Sequence, residues 1–101
     1  MKTTRVEGGG PSFDLAVLEA HHPSRIAHCA AGGGGDPARY GALLAALAER
    51  GCTVVAPSAE RMTAHPTEEQ LLERARRLRR AVEVVERPEL PVVGVGHSIG
   101  A

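Results

Sequence analysis

Three short apolar runs, each enclosed by turn-forming residues, constrain this chain more than any other feature. They are Ile26 to Ala30 (IAHCA), Cys52 to Ala56 (CTVVA) and Pro91 to Val95 (PVVGV). Each is too short for a buried helix, and runs of this length bounded by glycine and proline read as buried strands. The stretches between them repeat at helical spacing. Ala38 to Arg50 carries Tyr40, Leu43, Leu44 and Leu47 along one face, with Asp36-Pro37 as a helix start and Gly51 as its left-handed stop. Glu68 to Glu86 follows a capping-box pair, Thr67 and Gln70, and ends before Pro88. Its apolar stripe is Leu71, Ala75, Leu78, Val82 and Val85. Strand, helix, strand, helix, strand implies parallel strands joined by helical crossovers.

Two further runs precede this alternation. Thr3 to Glu7 and Phe13 to Glu19 flank the turn Gly8-Gly9-Gly10-Pro11 and suggest an antiparallel hairpin at a sheet edge. His21-His22-Pro23-Ser24 forms a second turn. The expected fold class is therefore α/β: a mostly parallel sheet with an antiparallel N-terminal edge and helices on its faces.

Composition narrows the function classes. Twelve basic and twelve acidic residues cancel, which leaves no global field to draw nucleic acid or an anionic membrane. Phe13 and Tyr40 are the only aromatics, so platforms for base stacking are missing. No apolar run approaches the roughly 20 residues needed to cross a bilayer. No apolar segment of signal-peptide type follows Met1-Lys2-Thr3-Thr4-Arg5, and a cytoplasmic setting is the expectation. Cys29 and Cys52 form no CxxC pair and lack the company of a zinc site, so both read as small buried residues and no metal is expected. Arg74, Arg76, Arg77, Arg79 and Arg80 resemble a nucleic-acid patch. Glu69, Glu73, Glu83 and Glu86 interleave with them, however, and Glu73 and Arg77 stand at the i,i+4 spacing of a helix ion pair. The expected role is a solvated helix face.

The chemistry lies in two glycine-rich turns, each directly after an apolar run. Gly96-His97-Ser98-Ile99-Gly100 matches G-x-S-x-G, the strand-to-helix elbow that presents a nucleophilic serine. The turn is tight and strained, and bulky flanks would collide with the neighbouring strand and helix, so glycines stand on both sides of the serine. Ser98 is the candidate nucleophile, and the amide of Ile99 is the first donor to an oxyanion. Gly96, His97 and Gly100 support the elbow. The second turn is Gly32-Gly33-Gly34-Gly35, where bare backbone can approach a substrate carbonyl and aim an N–H at it. In a parallel sheet both turns leave the carboxyl edge, where ligands bind.

From Ile26 to Gly100 the chain resembles the dienelactone-hydrolase-like branch of the α/β-hydrolase superfamily. The resemblance rests on the Ala31 to Pro37 loop, the helix end Ala48-Glu49-Arg50-Gly51, the strand Thr53 to Pro57 and the elbow. It implies the N-terminal part of an α/β-hydrolase fold, truncated after the third parallel strand: one partial domain over residues 1–101, with the C-terminal half missing. It implies a serine hydrolase acting on an ester, lactone or other acyl substrate through a Ser98 acyl-enzyme, without cofactor. It makes the amides of Ile99 and Gly33 the oxyanion donors, with Gly32 and Gly34 shaping the loop. Ala31 stands where such loops often carry a histidine. No acid or histidine follows Ser98 within these 101 residues, so the chain alone is expected to be inactive.

Two other readings compete. Gly94, Gly96 and Gly100 follow a strand with the spacing of some dinucleotide-binding turns, which would make this a Rossmann-like fragment. A non-catalytic remnant or binding module is the second. The expected partner is a small acyl substrate; the sequence leaves the oligomeric state open.

Overall fold

The computed structural model describes residues 2–30, 37–58 and 65–96. Strands β1 (Lys2–Val6) and β2 (Phe13–Leu18) form the expected hairpin, paired antiparallel from Lys2↔Val17 to Val6↔Phe13. They are followed by β3 (Arg25–Ala30), a 3₁₀ turn over Pro37–Tyr40 that enters helix α1 (Gly41–Glu49), β4 (Cys52–Pro57), helix α2 (Glu68–Val85) and β5 (Val92–Gly96). The strand order is β1-β2-β4-β3-β5. Three parallel strands, β4, β3 and β5, thus carry two antiparallel ones on the β4 side.

Helices cover both faces of the sheet, so β4 is buried along its whole length. That is why Cys52 to Pro57 reads as a continuous apolar run and does not alternate with polar residues. On the α1 face, Leu44 packs with Ala27, Cys29, Cys52, Val54 and Ala56. On the α2 face, Ala81 packs with Phe13, Leu15, Ile26 and Val55. Full burial of such a side chain is worth roughly 1.5–3 kcal/mol. Edge strand β5 stands apart. The helices pack mainly on β4, with β2 and β3 beside it, and Val92 and Val93 of β5 remain 46% and 41% exposed.

Local signals hold at the helix ends. Thr67 Oγ1 accepts from the Gln70 amide, and the Gln70 side chain accepts from the Thr67 amide, closing the capping box. Gly51 has φ +88°, the left-handed conformation that stops α1, and its carbonyl accepts from the Ser24 amide ahead of β3. The other α1 boundary shifts: the first turn of the expected helix is 3₁₀, and Asp36 lies outside the described residues.

The buried face of α2 departs in part from the expected stripe: Val82 and Val85 pack against the core, but Leu71 does not. Arg74, Arg77 and Ala81 are its buried residues, while Leu71 and Leu72 are 45% and 61% exposed. The arginines were expected on a solvated face. Arg77 can be buried because an arginine stem is apolar and its head here finds partners. Its Nε donates to Glu73 Oε2 at 2.8 Å, its Nη1 donates to the Ser58 carbonyl at 3.0 Å, and its guanidinium stands 5.4 Å from the Phe13 ring centroid. Arg76 donates to both Glu73 oxygens and to the Pro11 carbonyl, tying α2 to the β1–β2 turn. Among these five arginines, Arg79 keeps the expected exposed position.

His28 is half-buried, on the sheet face that carries Ile26. It pairs in register with Gly94 of β5, and a Cβ on Gly94 would lie 3.0 Å from His28 Nε2. Glycine at position 94 therefore makes room for an imidazole. Burial lowers the His28 pKa, and its Nδ1 has no hydrogen-bond partner among the described residues.

Two outcomes follow from these contacts. Gly94→Ala is expected to destabilise the fold by about 1–3 kcal/mol, the usual cost of overpacking. His28→Ala should recover much of that loss, giving a coupling of about 0.5–3 kcal/mol in a double-mutant cycle by chemical denaturation; additive losses would refute the contact. The second outcome concerns acid. Arg76 first, and Arg77 after it, hold the Glu73 carboxyl down to about 2 against the opposing effect of burial. A carboxylate lowered on folding contributes stability above its unfolded pKa, lost as pH falls from about 4.5 to about 2. His28, also lowered, binds its proton more weakly folded than unfolded, so its loss begins below 6.5 and runs in the same direction. Denaturation midpoints should fall on acidification through both windows, and Glu73→Gln should flatten the lower one. An unchanged acid profile in Glu73→Gln would contradict the role given to Glu73.

Candidate functional site

The parallel pairing of β3 with β5 runs in register from Ile26↔Val92 to Ala30↔Gly96. The two strands therefore end side by side at one edge of the sheet. The chain leaves β3 at Ala30 into the glycine run, and leaves β5 at Gly96 into the elbow. The two turns singled out in the sequence thus start from neighbouring strand ends at a carboxyl edge, where α/β sheets bind ligands. Of the candidate site residues, Gly96 is described, as the exposed last residue of β5. Ser98, Ile99, His97, Gly100, Gly32, Gly33 and Gly34 lie outside the described residues.

Beside these strand ends lies a cavity of about 280 Å³, on the α1 face. Cys29 and Ala30 of β3, Ala56 of β4, and Val95 and Gly96 of β5 form its sheet wall. Pro37, Tyr40, Leu43 and Leu44 close the opposite side. Sequence reasoning missed this hollow. A trace of it was present, since Tyr40, Leu43 and Leu44 follow directly on the glycine run and share one helical face. What could not be read was that β5 would pair with β3 and bring Val95 opposite them.

Other reactive side chains have duller surroundings. Burial, and then the neighbouring Cys52, push the Cys29 thiol up to about 11, so it is protonated and unreactive at neutral pH. Cys29 and Cys52 are both free and buried, as expected. His21 and His22 touch edge-to-face with ring centroids 4.3 Å apart, in the turn ahead of β3 and so beyond its opposite end. His28 is taken up by Gly94. Among the described residues no cluster of histidine, cysteine or carboxylate side chains is fit to hold a metal ion. No described helix is long and apolar enough to cross a membrane.

The dinucleotide reading needs Gly94 and Gly96 in a phosphate-cradling turn. Both lie within β5 instead, and Gly94 serves the His28 ring. The two glycines are strand residues, so the structure does not support that alternative.

No family model matches the chain, and no curated protein matches it. Solved structures do. A thioesterase domain from the curacin biosynthetic pathway superposes with a TM-score of 0.74 at 25% sequence identity, covering 99% of this chain and 36% of that one. TT1662 from Thermus thermophilus superposes with a TM-score of 0.62 at 24% identity, covering 99% of this chain and 48% of that one. The chain thus spans between about a third and a half of the length of these two structures.

Proposed function

We propose that this chain, whose fold is of the α/β-hydrolase type, carries the nucleophile half of a serine hydrolase site. The observation that carries the reading is the Ala30↔Gly96 register, from which the Gly32 to Gly35 loop and the Gly96-His97-Ser98-Ile99-Gly100 elbow depart side by side. The thioesterase neighbour supports acyl chemistry in particular, since its activity is hydrolysis at an acyl carbonyl. The dienelactone-hydrolase-like resemblance of the two glycine turns supports an ester or lactone as substrate.

In this reading Ser98 Oγ attacks the acyl carbonyl, and its proton passes to a general base. The carbonyl oxygen becomes an oxyanion held by the amides of Ile99 and Gly33, a type of donor worth about 2.7–4 kcal/mol each. Collapse expels the alcohol or thiol and leaves the acyl group on Ser98; water then releases the acid. Gly96, His97 and Gly100 shape the elbow, and Gly32 and Gly34 the loop. The base is the part these 101 residues lack. No histidine or acid follows Ser98, and the described histidines ahead of it are turned to other contacts or set in exposed turns. A serine without a base is a poor nucleophile.

The 101-residue chain is accordingly expected to hydrolyse p-nitrophenyl acetate no faster than its Ser98→Ala variant. A rate that Ser98→Ala abolishes would overturn this. A longer product of the same reading frame should carry an acid and then a histidine beyond Ser98, and a fluorophosphonate should label it at Ser98. A folded product that resists labelling would favour a non-catalytic binding module.

A further inference from the structure

We propose that the hollow on the α1 face holds the acyl portion of the substrate, and that it selects a small, neutral, apolar acyl group over an anionic one. The inference rests on the Ser98 reading for the word substrate; the hollow's preference for neutral ligands stands on the geometry.

Position supplies the first argument. Gly96 lines the hollow and Ser98 lies two residues further along the chain. Ala30 lines it too, and the next residue begins the loop that carries Gly33. The two strands that deliver the nucleophile and the oxyanion donor are thus two walls of one cavity.

The lining supplies the second. Val95, Ala56, Leu44 and Leu43 are hydrocarbon, and among the described residues no lysine, arginine, aspartate or glutamate contributes to the wall. A carboxylate carried on the acyl chain would lose its hydration here and meet no cation among the described residues, and an uncompensated buried charge is strongly disfavoured. Cys29 does not change this, since burial keeps its thiol protonated and uncharged. Size gives the third argument. At about 280 Å³ the cavity falls just below the roughly 300–1,000 Å³ of pockets that take drug-sized ligands, which suits a short acyl chain.

The test uses the 101-residue chain with ¹³C-labelled methyl groups and two esters of similar length, methyl pentanoate and the anionic monomethyl glutarate. Methyl pentanoate should shift the methyl signals of Leu43, Leu44, Ala56 and Val95 in a saturable way. Monomethyl glutarate should bind about tenfold more weakly or not at all. Leu43 is 47% exposed at the rim, so Leu43→Arg brings a cation to the hollow without touching the core. This variant should reverse the order of the two esters. Equal binding of both esters by the natural chain, shifts confined to other methyl groups, no shift in a folded chain, or an unchanged order in Leu43→Arg would each overturn the proposal. The methyl shifts should survive Ser98→Ala. A longer product that fails to label at Ser98 while these shifts persist would refute the nucleophile and leave the hollow's selectivity standing.

Discussion

The parallel pairing of β3 with β5 is the interaction on which the rest of this molecule's functional geometry depends. Its register brings Ala30 beside Gly96, and so gathers two glycine-rich turns that lie far apart in sequence. A slip of one residue would move every side chain of β5 to the opposite face. Val95 would then leave the α1 face, where it packs near Cys29 and lines the hollow. The fit of the His28 ring against Gly94 opposes such a slip, because a valine in the place of Gly94 would collide with the imidazole. One local steric match thereby holds a site-forming register in an edge strand that neither helix braces well.

The remainder of the fold supplies rigidity to that pair. Strand β4 is buried from end to end and is hydrogen-bonded to β2 on one side and β3 on the other. Helix α2 is fastened less by leucines than by a polar cluster. Glu73 accepts from Arg76 and Arg77, whose remaining donors reach the backbone carbonyls of Pro11 and Ser58. Backbone carbonyls outside the sheet ladder need donors of their own. Guanidiniums meet that need while their stems and the Phe13 ring exclude water. Ser58 follows β4 directly and also exchanges hydrogen bonds with Asp14, so the cluster fixes where the chain leaves the carboxyl end of the central strand.

Much of this was legible in the sequence because its signals are local. The strand runs were readable to within about one residue, since apolar residues, glycines and prolines mark them without reference to the rest of the chain. Thr67 and Gln70 announced the start of α2, and Gly51 the end of α1. The misreading of α2 is equally instructive. The C-terminal end of the expected stripe, Val82 and Val85, does pack on the core, but the fully buried positions are the neighbouring line of Arg74, Arg77 and Ala81. Hydrophobic periodicity treats arginine as polar. Its propyl stem makes it an amphipathic core residue once a carboxylate and free carbonyls lie within reach, and the latter depend on tertiary structure. Strand order was not legible either, because β2 beside β4 is a pairing between segments that no local pattern links.

Placement and reactivity come apart in this chain. In the proposed reading the elbow requires a strand end, glycines and a neighbouring loop able to donate to an oxyanion, and the sequence carries each of these. Activation of a serine requires a proton acceptor, and the described histidines are engaged or set in exposed turns. His28 shows why proximity within the sheet is not enough. It sits in β3, paired with β5, yet its ring is packed against Gly94 within the sheet. A base must reach the serine hydroxyl from above the carboxyl edge, whereas a histidine within the strand is held inside the sheet by the pairing that positions the site. In the proposed reading, the strand pair that organises the site is therefore unsuited to activate it, and a proton acceptor would approach from outside the sheet.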